Sequence, residues 1–285
     1  MLEMIINPRR SERKPWELFF VGFVYACLAV LLVNWIFSGD PVLSKYSGIL
    51  IVTFSVMFSM PFIYFTLRLE EHKDLEIKNS WRLLREHGRA LTCFLWLFLG
   101  FIVAFSCMYI ILGDTNNYKA QIETYCQINS PTNYLGCVET YGVKASPITA
   151  EVSGGWNSFL NIFTNNLYVL FFAIVFSIIF GAGGIFILAW NASVIAAAMV
   201  IFAQNDLLKL PLGLARYMIH GLPEIAAYFV GTLAGGIIGL AIIRKDYKTD
   251  KFWDILHDAL ILIIVAMLIV VVAALIEVFI TPKFF

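Results

Sequence analysis

The chain has 285 residues, 60% of them hydrophobic, 15% aromatic and only 14% charged. Soluble globular domains carry ~25% charged residues, so this composition, with a mean hydropathy of +0.80, excludes a soluble fold and places the chain in a bilayer. Twenty Lys and Arg balance 20 Asp and Glu, which gives no reason to expect a polyanionic partner such as nucleic acid.

The apolar residues come in long unbroken runs, most of them near the ~20 residues that a helical crossing needs. A β-barrel would alternate apolar and polar positions instead. The fold class is therefore an all-α polytopic membrane bundle of about seven spans, or six if the short fifth segment re-enters. The first run, Trp16 to Phe37, follows Arg9, Arg10, Arg13 and Lys14. It is too long for a secretory-signal core and ends without an A-x-A-like site, so it reads as an uncleaved span. The second run covers Gly48 to Leu67. The segment Arg68 to Arg89, with six Lys/Arg and five Asp/Glu, reads as a helix. Ile77, Trp81 and Leu84 share one face, while Asp74 with Lys78 and Arg82 with Glu86 make i,i+4 pairs. Such a helix presents either a solvated face or a docking surface for a soluble partner.

A third run extends from Leu91 to Leu112, and a polar segment, 113–164, follows it. The fourth run covers Leu167 to Trp190, the fifth only Ala192 to Ala203, the sixth Leu222 to Ile243 and the seventh Leu256 to Ile280. The fifth rises ~18 Å as a helix, short of a ~30 Å core, so its crossing is expected to be completed by Gln204 to Leu214 and broken at Pro211.

Orientation follows from the Lys and Arg, which concentrate in short cytoplasmic loops. The basic N-terminus, the Arg68 to Arg89 segment and the Arg244, Lys245, Lys248, Lys251 cluster are placed inside, and loop 113–164 outside. The chain is thus expected in the plasma (cytoplasmic) membrane, multipass, with the lipid bilayer as its surroundings. Cys27, Cys93 and Cys107 lie in apolar runs and read as small packing residues. Cys126 and Cys137 share the outer loop, where a disulfide would persist; the alternative is two free thiols.

Small residues mark expected close packing. Gly231, Gly235 and Gly239 recur every four positions along one stripe of span six, and Gly181, Gly183 and Gly184 cluster within the fourth run. Polar residues inside apolar runs are costly and therefore informative: Asn34, Asn165, Asn166, Asn191, His220, Glu224 and Glu277. His220 and Glu224, separated by Gly221, Leu222 and Pro223, share a helix face. One reading has Glu224 complementing a helix N-terminus and His220 capping backbone groups. Another has them holding a proton, ion or small solute together with Glu277 or the Asn pair. A metal site is not expected, because the ligands are too few and no HExxH motif is present.

Asn165-Asn166 opening an apolar helix, Gly181 to Gly184 within it, Asn191 next, and His220-Gly221-Leu222-Pro223-Glu224 leading into an Ala/Gly-rich span together resemble the stage II sporulation protein M family of multipass membrane proteins. The resemblance runs from about Leu91 to Ile280. It implies a five-span core over 91–285 carrying loop 113–164, with 1–90 as a two-span N-terminal extension bearing the charged cytoplasmic helix. This chain has Asn191-Ala192 where the family usually has Asn-Gly, and Ile219-His220-Gly221 where it has Pro-His-Gly. For sporulating bacteria the resemblance implies a membrane scaffold working with cell-wall hydrolases. No GxSxG elbow or Walker A loop is present. The expected function is that of a non-catalytic membrane scaffold that needs no cofactor and engages protein partners or forms a homo-oligomer. The alternative is a transporter or channel for a small solute or ion, using a broken helix near residues 203–224.

Overall fold

The structure, a computed structural model, describes residues 11–281 except 77–79, 114, 130–132, 144–155, 182, 204–205 and 250. Among the described residues the regular elements are all helical. They are α1 (Glu17–Phe37), α2 (Ser47–Glu76), α3 (Ser80–Leu112), α4 (Lys119–Asn129), α5 (Tyr134–Val143), α6 (Trp156–Phe180), α7 (Gly184–Ala203), α8 (Leu210–Ile243) and α9 (Lys251–Phe279). Seven of these, all but α4 and α5, are long and apolar enough to cross a membrane. The protein is an all-α polytopic bundle. The side that carries the start of α1 is called near below, and the opposite side far.

The seven spans agree with expectation, but the fourth and fifth divide elsewhere. The chain turns at Gly181–Gly183 and not after Trp190. Gly181 takes a left-handed backbone with φ 68°, a conformation that ends helices and costs glycine nothing. The glycine cluster expected inside span four is thus the near-side turn, and Gly184 opens α7. With Gly184 to Trp190 added to it, the fifth crossing is 20 residues long and needs no help from Gln204 to Leu214. Pro211 breaks nothing; it stands in the first turn of α8, where its missing N–H is harmless. Loop 113–164 is also shorter than its polarity suggested, since α6 already starts at Trp156.

Helix α8 is the axis of the family-like half. Its Leu233, Ala234, Ile237 and Ala241 are all buried. The stripe expected for close packing does bring two backbones together. A Cβ on Gly235 would meet the Ile174 carbonyl oxygen at 2.5 Å, and one on Gly239 the Ile178 carbonyl oxygen at 2.6 Å. Gly231 faces Leu170 and Ile174, so α6 and α8 run parallel with matched register. Gly183 and Gly184 tighten the same region, a Cβ at Gly183 meeting the Phe176 carbonyl oxygen at 2.5 Å.

A second close approach was not anticipated. α1 packs along α3, with Gly22 against the Leu97 backbone and Gly100 against the Phe19 backbone. The Phe98 ring then meets Phe229 of α8 edge-on at 5.8 Å between centroids. The apolar core is therefore continuous from α1 through α3 to α8.

Candidate functional site

Three groups of polar side chains stand out against this apolar background. The first joins α6, α8 and α9 toward the far side. Asn166 Nδ2 donates to Glu224 Oε1 at 2.6 Å, and the Tyr228 hydroxyl donates to Asn166 Oδ1 at 3.0 Å. The Glu277 carboxyl lies within electrostatic reach of that of Glu224. Asn166 and Tyr228 are buried, as polar groups inside a span should be only when paired. Glu224 and Tyr228 are four apart on α8, so one helix face supplies both.

The structure thus brings together Asn166, Glu224 and Glu277 of the expected residues and adds Tyr228. It leaves the others out. Asn165 faces outward on α6 and is exposed. Asn191, expected at the end of a span, sits inside α7 and donates from Nδ2 to the Ile187 carbonyl at 2.7 Å, a local bond within its own helix. Gly221 is buried on α8. His220 lies in the same helix, its side chain outside the described residues. Glu224 cannot complement a helix N-terminus, because α8 begins at Leu210 and continues unbroken through Pro223 to Ile243. The same continuity removes the expected broken helix over most of 203–224; the interruption is confined to the connection before Leu210, where Leu207–Lys209 forms a single short turn.

The second group belongs to the far-side segment between α3 and α6. After α3 the chain turns back on itself, and residues 115–122 enter the mouth of the bundle. Asn117 Nδ2 donates to Asn34 Oδ1 at 3.1 Å. The Tyr118 hydroxyl donates to the Phe105 carbonyl at 3.1 Å, and its ring stacks on Tyr109 at 4.7 Å. Gln121 Nε2 donates to the Gly48 carbonyl at 2.9 Å and to Ser193 Oγ at 3.2 Å. Burial pushes the Tyr118 phenol well above the usual tyrosine range. α4 lies against α7 and α2, and α5 is joined to it by the Cys126–Cys137 disulfide with Cα atoms 5.7 Å apart. Both cysteines are buried, whereas Ile128 and Leu135, which flank the tip, are exposed. The bridge expected from the sequence is present, and the loop that carries it is a seated hairpin.

The third group closes the near end. Lys73 Nζ lies 2.7 Å from Glu12 Oε1 and 2.6 Å from Glu70 Oε1, and His87 Nδ1 lies 2.8 Å from Glu70 Oε2. Glu70 and His87 are buried. From the sequence, the charged segment shows i,i+4 pairs and the shared face of Ile77, Trp81 and Leu84, with a solvated or docking surface as the expectation. The pair Asp74 with Lys78, and the face of Ile77, Trp81 and Leu84, lie outside the described residues or side chains, and Glu86 bonds Arg89 at 2.7 Å. The link to Glu12 spans 61 positions, which no local spacing reveals.

Comparison with known proteins adds the family. The profile of the family described as Stage II sporulation protein M matches residues 81–282. The chain belongs to this family. The match takes in α3 to α9, and with them the far-side polar group and the clamped hairpin, and leaves α1 and α2 outside. An uncharacterized protein of Methanocaldococcus jannaschii is 35% identical over 132 residues, 44% of this chain and 72% of that protein. No solved structure matches.

Proposed function

We propose that the protein is a non-catalytic membrane scaffold whose partner-facing element is the hairpin of α4 and α5. The observation that carries this reading is the way the hairpin is held. Its base is fixed into the bundle through Asn117, Tyr118 and Gln121, and its arms are clamped by Cys126–Cys137. Its tip offers Ile128 and Leu135 away from the core. Rigid presentation of apolar anchors lowers the ordering cost of binding a protein. Family membership supports the same reading, and so do the basic clusters, which by the positive-inside rule put the hairpin outside the cytoplasm, where its disulfide is stable. A photo-crosslinking residue at Leu135 is expected to trap a discrete protein in native membranes, while the same residue at lipid-exposed Phe172 is not. Equal trapping at both positions contradicts the proposal.

One observation favours a second reading, that of a proton or solute carrier: Glu224 and Glu277 lie within electrostatic reach of each other inside the span region, and ionisable groups at such depth mark transport paths in many membrane proteins. Proton flux in proteoliposomes that is abolished in Glu224→Gln would support the carrier and count against the scaffold.

A further inference from the structure

Asn165, which the far-side group leaves out, belongs to a polar stripe on the outer face of α6. Asn161, Thr164, Asn165 and Tyr168 are all exposed there, and their spacing puts them on one side of the helix. α6 is the least buried of the seven crossing helices. Among the described residues, the side chains of Asn161, Thr164 and Asn165 have no hydrogen-bond partner within the chain.

The stripe lies within the span and not at its rim. Trp156, which opens α6, meets Phe279 at the end of α9 with 6.3 Å between ring centroids, and tryptophan favours the membrane interface. At 1.5 Å per residue, Asn161 lies about 8 Å and Asn165 about 14 Å further along the helix. α9 runs antiparallel to α6 from the same level, so its residues 268–275 stand at that depth. The exposed ones there, Leu268, Val272 and Leu275, are all apolar. A wet surrounding would favour polar groups on both helices, so the medium at this depth is lipid. An amide exposed to hydrocarbon without a partner is costly, and the stripe therefore calls for a second helix.

We propose that this stripe is the contact between two copies of the chain, paired α6 against α6. The argument for a second copy is self-complementarity. Copies inserted by the same basic clusters share one orientation. A two-fold axis between them then runs along the membrane normal, and the two α6 helices meet in parallel, each residue facing its counterpart at equal depth. α6 contains no charged residue, and an amide or hydroxyl carries donor and acceptor on one side chain. Asn161, Thr164 and Asn165 therefore satisfy their own counterparts, as charged groups of one sign could not. They are also the small residues of the face, and small residues let two helices approach closely in lipid. Beyond Tyr168 the face carries Phe171, Phe172 and Phe176, whose bulk holds the helices apart, so the pair splays toward the near side and Phe172 stays in lipid. The contact adds nothing to the fold of one chain and is independent of the role of the hairpin.

Two measurements on the full-length protein test this. A photo-crosslinking residue at Thr164 in native membranes is expected to trap a second copy of the chain, identified by mass spectrometry, while the same residue at Leu268 of α9, at equal depth, is expected to trap no protein. In liposomes, separately labelled copies are mixed and diluted with lipid, and energy transfer reports their association. Asn161→Leu with Asn165→Leu is expected to weaken that association about tenfold, whereas Leu268→Ala leaves it unchanged. Both asparagines are exposed, so an unchanged Tm in detergent reports that the double variant is folded. Capture at Thr164 of a different protein or of lipid alone, or a dilution curve that the double variant reproduces unchanged, overturns the proposal.

Discussion

Asn166 has both ends of its amide occupied, one by Glu224 and one by Tyr228, while Asn165 beside it is exposed. The two are adjacent in sequence and equal in composition, so only the helical phase separates them, about 100° per residue at 3.6 residues per turn. Truncation separates them too. Asn166→Ala strands a buried hydroxyl and a carboxyl and is expected to cost about 1–3 kcal/mol, seen as a lowered Tm of the protein in detergent. Asn165→Ala is expected to leave Tm unchanged; equal shifts in both contradict the assignment. The sequence pointed to Asn166, Glu224 and Glu277 because polar residues are rare within spans. It did not point to Tyr228, although its place four residues after Glu224 was a usable signal. Glu12 and Lys73 carry no such signal, because mixed charge outside a span gives no sign of burial.

The elements show the same division between local and distant causes. Apolar runs of crossing length located the spans, and the four-residue glycine stripe located the contact of α8 with α6. The turn between α6 and α7 was misplaced because Gly181 to Gly184 reads equally as a packing motif or as a stop signal, and only the left-handed backbone at Gly181 decides between them. The hairpin's seat on Gly48 and Ser193 depends on contacts more than seventy positions apart, beyond any local pattern. Its clamp is testable as an element. A disulfide closing a short loop is worth about 2–4 kcal/mol, so Cys126→Ser with Cys137→Ser is expected to speed hydrogen exchange across 119–143 while the bundle helices keep their protection. Unchanged exchange in the hairpin would mean that its base alone holds it.

At the scale of the whole molecule, the near-end cluster and the far-side group stand toward opposite ends of the bundle, with a continuous apolar core between them. The near-end cluster ties the extension to the start of α3, and the far-side group ties α6, α8 and α9. Between them α1, α3 and α8 share one core, so α1, outside the family match, is built into the body of the protein. Such a body suits the display of a fixed surface, and whether the protein holds a partner is the most direct test of the proposed role. Purified from native membranes in a mild detergent, the wild-type protein is expected to retain a partner in near-stoichiometric amount, and a Leu135→Asp, Ile128→Asp variant of equal Tm to lose it. A wild-type protein that purifies alone, and whose reconstituted form carries a proton flux dependent on Glu224, would contradict the account.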